Sequence, residues 1–103
     1  MELTILERLT LLQLLPGEGS LTTIRIVRKL RESLSMTEEE IVEHEVVQSP
    51  SGQVAWQNDR ARPIEFGATA REIAVTALEA LDTAGKVEDR HLSLFDKFGI
   101  GID

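Results

Sequence analysis

Four cations recur at helical spacing in the stretch LTTIRIVRKLRESL, residues 21–34: Arg25, Arg28, Lys29 and Arg31. Guanidinium and ammonium groups three and four residues apart gather on one side of a helix, where together they can meet phosphates or carboxylates. Such a face suits either a nucleic-acid backbone or an acidic protein surface. Ile26, Val27, Leu30 and Leu34 form the expected core side of the same helix. Glu32 stands three and four residues from Lys29 and Arg28 and is expected to pair with either, so the helix neutralises part of its own basic face.

The rest of the chain weighs against nucleic acid. Eighteen acidic residues against eleven basic ones give a net charge of -7, and polyanion binding draws most of its strength from neutralised phosphates. Any such site must be local. Glu38, Glu39, Glu40 and Glu43 crowd the next predicted helix without a Lys or Arg, and the segment from Glu45 to Gln57 holds no basic residue. Approaching phosphates would meet repulsion there. The carboxylates at 38–40, 43 and 45 could instead imitate nucleic acid in a partner's groove, although a helix dipole already accounts for glutamates at a helix start.

The remaining reactive side chains form no recognisable constellation. Trp56 lies in EVVQSPSGQVAWQ, where an exposed indole would anchor an interface and a buried one would fill the core of an aromatic-poor chain with three Phe and no Tyr. His44, in VEHEV, has no ligand partner at helical spacing and reads as surface charge. His91 shares a helical side with Phe95 and Phe98 and is expected to pack, using one ring nitrogen for a hydrogen bond. GEG and GIG lack the setting and the Lys-Ser/Thr of a phosphate loop, and no nucleophile elbow or acidic metal cluster occurs. The expectation is a non-enzyme without cofactor or metal.

Three pairs with capping-box spacing set out the elements that must position these residues: Thr4 with Glu7, Thr37 with Glu40, and Thr69 with Glu72. The first predicted helix runs from Thr4 to Pro16 and is apolar almost all round, with Ile5, Leu9 and Leu12 on one seam and Leu11, Leu14 and Leu15 away from it. Its surplus leucines, Leu11 and Leu14, are expected to face another subunit or a partner. The basic helix follows, capped by Ser20, Thr22 or Thr23 and reaching about Ser35, and then the short acidic one. SPSG joins two strands into a hairpin, and PIEF offers a third short strand or extended segment, which Pro63 would put at an edge or a strand start. The fourth helix spans 69–84 with Gly85 as its stop. It carries an alanine-rich face of Ala70, Ile73, Ala74, Ala77, Leu78 and Leu81 that would let a neighbouring helix approach closely. The fifth covers about 88–98, and the tail GIGID is expected to be a loop.

This predicts a mostly helical α+β single domain over residues 1–103, with three N-terminal helices, a small hairpin or three-stranded sheet, and two C-terminal helices. The order of its first 57 or so residues resembles a winged helix-turn-helix, which implies as an alternative function a DNA-binding regulator using the basic second helix. No Cys is present and no apolar run approaches a membrane span. MELTILERLT lacks the basic start of an export signal, so a soluble cytoplasmic protein is expected. The pattern LERLTLLQLLPGEGSLTTIRIVRKLRESLSMTEEE, followed by HLSLFDKF, resembles small uncharacterised proteins encoded by bacteriophages and prophages. That resemblance implies a host bacterial cytoplasm and an accessory protein that binds a host or phage protein. The expected contacts are Leu11, Leu14, Arg25, Arg28, Lys29, Arg31 and Trp56, in a homo-oligomer.

Overall fold

The computed structural model of the protein describes residues 1–100, so the end of the expected C-terminal loop, residues 101–103, lies outside the described residues. The elements follow in the order β1 (Glu2–Leu3), α1 (Ile5–Leu14), α2 (Leu21–Leu34), α3 (Glu38–Glu43), β2 (Val47–Gln48), β3 (Val54–Ala55), β4 (Arg62–Pro63), α4 (Ala68–Thr83) and α5 (Asp89–Phe98). This is the expected α+β order, with helices dominant and two small antiparallel sheets.

Local chemistry sets most of the boundaries. Thr4 and Glu7 close a full capping box on α1, as do Thr37 and Glu40 on α3. Ser20, one of three candidate caps, receives the Thr23 amide and starts α2. The third expected box does not form. Helix α4 begins a residue earlier at Ala68 behind Gly67, which places Thr69 inside the first turn rather than at the cap. Its end is as expected: Gly85, at φ +68°, lets its own amide reach the Asp82 carbonyl and the Lys86 amide reach that of Leu81, the paired bonds of a Schellman stop. Glu88 caps α5 instead of being its first residue.

The expected hairpin forms, with Val47 opposite Ala55 and Gln48 opposite Val54. Its turn runs through Pro50, and Gly52 donates to the Ser49 carbonyl at 2.9 Å with φ +88°. The third strand does not join it. β4 pairs with β1, Glu2 opposite Pro63 and Leu3 opposite Arg62, so the sheet is split in two. Burial explains the choice, because Leu3 and Ile64 are both core residues while all four strand residues of the hairpin are exposed. The Met1 carbonyl also accepts the Ile64 amide at 2.7 Å, which extends the pairing.

A single apolar cluster holds the helices together. Leu3, Leu11, Leu15, Val27, Leu30, Leu34, Ile64, Ala74, Leu78, Leu94 and Phe98 fill it, and α1 packs on α5, α4 and α2. Phe66 meets Phe98 edge-on with ring centroids 5.3 Å apart. The phase of α1 corrects the sequence reading. Ile5, Arg8, Leu11 and Leu15 turn inward, whereas Leu9 and Leu12 of the expected seam are half-buried and Leu6 is exposed. With leucine on nearly every side, periodicity alone could not orient this helix.

The inward phase brings charge into the core. Arg8, 2% exposed, places its guanidinium against Glu40 with contacts of 2.6 and 3.2 Å and gives its other protons to the carbonyls of Leu34 and Ser35. It thereby ties α1 to the end of α2 and the start of α3. Arg62 adds a contact of 3.2 Å to Glu40 and one of 2.8 Å to Glu43, drawing in β4. One residue before Arg8 on α1, buried Glu7 accepts hydrogen bonds from the Thr4 amide at 2.9 Å and the Lys97 ammonium at 2.6 Å, which docks α5.

Candidate interaction surfaces

Arg25, Arg28, Lys29 and Arg31 are all exposed on α2, as the sequence led us to expect, because Val27, Leu30 and Leu34 turn the opposite side into the core. Arg31 reaches back to the Leu15 carbonyl at 3.4 Å, a marginal hydrogen bond. The expected internal neutralisation is not formed. Among the described residues the ion pairs are Arg8–Glu40, Arg62–Glu40, Arg62–Glu43, Arg90–Glu88 and Lys97–Glu7, so Glu32 pairs with neither Lys29 nor Arg28. The four α2 cations therefore keep their charge available to solvent or to a partner.

Helix α3 carries the opposite character. Glu40 and His44 turn inward, leaving Glu38, Glu39, Ile41 and Val42 exposed, with Glu45 just beyond; Val42 is 77% exposed. Glu38, Glu39 and Glu45 take part in none of the ion pairs. Glu40 belongs to the interior instead. Hydrogen bonds from Arg8, aided by the Thr37 amide and the charges of Arg8 and Arg62, outweigh its desolvation and lower its pKa to about 2. Burial pushes the Glu7 carboxyl up, but the Lys97 ammonium, the Thr4 amide and the Ser93 hydroxyl together outweigh it and hold that group below the ordinary value.

Leu11 is not a surface residue. It is fully buried in the core cluster, which corrects the expectation that it contacts a partner, because the inward turn of α1 carries it beneath α4 and α5. Leu14 is half-buried and borders an open groove of about 590 Å³ between the end of α1 and the side of α4. Ile73, Ala77 and Ala80 from α4, with Pro16 after α1, supply most of its apolar lining. The alanine-rich face is thus divided: Ala74 and Leu78 pack inward, and Ala77 and Ala80 open onto this groove.

Trp56 is half-buried and stands outside the core cluster. Its indole N–H donates to Asp59 at 3.1 Å, and the Asp59 carboxylate accepts the first two amides of α1, Ile5 at 2.7 Å and Leu6 at 3.3 Å. The connector that looked merely polar in sequence is a second N-cap for α1, delivered from more than fifty residues away. Trp56 also borders a shallow depression of mixed character, lined by Leu6, Leu9 and Val54 together with Thr10, Gln13, Gln53 and Arg90.

The two histidines differ. His91 is buried and accepts the Glu88 amide on Nδ1 at 2.8 Å, the packed role expected of it. His44 is also buried, at 1% exposure, which corrects its reading as surface charge. Its Nδ1 lies 3.1 Å from the Gln57 carbonyl and so must donate to it, tying α3 to the end of the hairpin, while Nε2 has no hydrogen-bond partner among the described residues. No group of three or more His, Cys, Asp or Glu side chains able to hold a metal ion occurs among the described residues. Among those residues, too, no helix is long and apolar enough to cross a membrane.

The chain matches no family model, no curated protein and no solved structure.

Proposed function

We propose that the chain is a small non-enzymatic accessory protein, of the kind that phages and prophages encode, acting by protein–protein contact and associating with itself. The observation that carries this reading is a pair of oppositely charged clusters: four exposed cations on α2, and exposed carboxylates beside Ile41 and Val42 on α3. Elsewhere among the described residues, Arg8, Arg62, Arg90 and Lys97 each have a carboxylate of their own, and the unpaired Arg60, Arg71 and Lys86 stand apart from one another in sequence instead of clustering on one helix. A second copy offers to the α2 cations the Glu38, Glu39 and Glu45 carboxylates, and to Ile41 and Val42 the aliphatic stems of arginine and lysine. Like charges elsewhere on an acidic surface keep other orientations apart.

The same four cations favour one second reading, a regulator that lays α2 on a DNA backbone. The exposed glutamates of α3, which follows α2 after three residues, oppose it by repelling phosphate. Light scattering at low and high salt, with and without a DNA duplex, separates the two. Self-association gives a mass above that of one 11.5 kDa chain which ignores DNA and falls as salt screens the contact. A monomer whose mass rises with DNA only at low salt would instead place α2 on nucleic acid.

A further inference from the structure

We propose that the groove between the end of α1 and α4 is the docking site for an amphipathic helix of another protein, one with an apolar stripe and basic flanks. Its dimensions fit a helix. The α4 wall runs from Thr69 to Ala80, which at a helical rise is about 16 Å, or three turns. Ala77 and Ala80 expose only methyl groups along it, so a second helix could lie at the short end of interhelical spacing, roughly 8 Å. Leu14 and Ile73 supply the apolar sides against which leucines at every third or fourth position would pack.

Charge selects the occupant. Glu18 stands on one rim and Glu72 on the other, both exposed. Glu79, also exposed, is seven residues from Glu72 and continues its line along α4 about 10.5 Å further on. None of the three takes part in an ion pair among the described residues. A helix lying between these rims gains by carrying Lys or Arg on both flanks of its apolar stripe. A second copy does not supply one: the basic helix of this chain, α2, has Val27, Leu30 and Leu34 already buried in its own core. The proposal shares with the proposed function only the premise of protein binding and uses a different surface.

Fluorescence anisotropy with a labelled synthetic leucine–lysine peptide, patterned as an amphipathic helix, tests it. The patterned peptide is expected to bind at least about tenfold more tightly than one of the same composition in scrambled order. Ala77→Phe, which fills the floor, and the pair Glu72→Lys with Glu79→Lys, which reverses a rim, should each weaken binding by about tenfold or more, with unchanged circular dichroism. Should A77F fail to fold, the rim pair decides, since both glutamates are exposed. Arg25→Glu with Arg28→Glu should leave peptide binding undiminished, which keeps this result distinct from the fate of self-association. Equal binding of the scrambled peptide, or undiminished binding by the rim variant, would overturn the proposal. So would dissociation of the peptide-free protein by E72K and E79K, because the groove would then belong to a second copy.

Discussion

Arg8 is the residue on which the fold depends most unevenly. Its guanidinium is enclosed by the end of α2 and the start of α3, and Glu40 is the only carboxylate it touches among the described residues. Arg8→Ala would leave the buried Glu40 carboxylate only the Thr37 amide and the half-exposed Arg62, so a loss toward the lower end of about 3–5 kcal/mol is expected in chemical denaturation. The pH dependence has a definite sign. Glu40 titrates at about 2 in the folded protein and near 4.5 unfolded, so its contribution is complete above pH 4.5 and is lost as pH falls toward 2. The difference corresponds to about 3 kcal/mol. Glu40→Gln should lower stability at neutral pH and flatten that acid limb; an unchanged limb would show that other carboxylates set it, Glu7 first among them. Little of this was legible in sequence. In sequence Glu7 and Glu40 read only as the capping-box partners of Thr4 and Thr37, and Arg8 had no partner, because sequence spacing does not report which residues of distant elements meet.

Elements were legible where one local interaction decides them and obscure where tertiary contact does. The Thr4 and Thr37 boxes and the Gly85 stop are such local cases. The Thr69 box failed, β1 went unseen at two residues long, and α1 was out of phase because leucines offered no contrast. That phase yields a prediction: Leu11→Ala should cost about 2–5 kcal/mol as a cavity in the core, whereas Leu14→Ala, at a half-buried groove edge, should cost clearly less. Equal costs would show that α1 is not oriented as described. Beyond the C-cap His44 of α3, Glu45 takes φ +50°, its amide reaching the Val42 carbonyl and the Val46 amide that of Ile41. A glycine is the favoured residue for that stop. Glu45→Gly should therefore leave stability unchanged or raise it by up to about 1 kcal/mol, read as a rise in Tm. A clear drop in Tm would mean that the Glu45 side chain makes a stabilising contact.

At the scale of the whole molecule, ion pairs to the buried Glu7 and Glu40 engage Arg8, Arg62 and Lys97, while the four cations of α2 stay clustered and unpaired on the surface, which the net charge of -7 conceals. Sequence correctly read Arg25, Arg28, Lys29 and Arg31 as exposed but paired Glu32 with them, a long-side-chain contact worth too little to be fixed by spacing. The exposed acidic and apolar face of α3 was half-legible: its glutamates were plain, and its inward turn through Glu40 and His44 was not. Self-association between these two faces is the central claim. Its most direct test is the solution mass, at physiological salt, of the protein carrying Arg25→Glu and Arg28→Glu beside the unaltered chain. The expected result is an oligomer that falls to a folded monomer of 11.5 kDa in the variant. A variant that keeps the oligomeric mass, or an unaltered chain that is already a monomer, would contradict it.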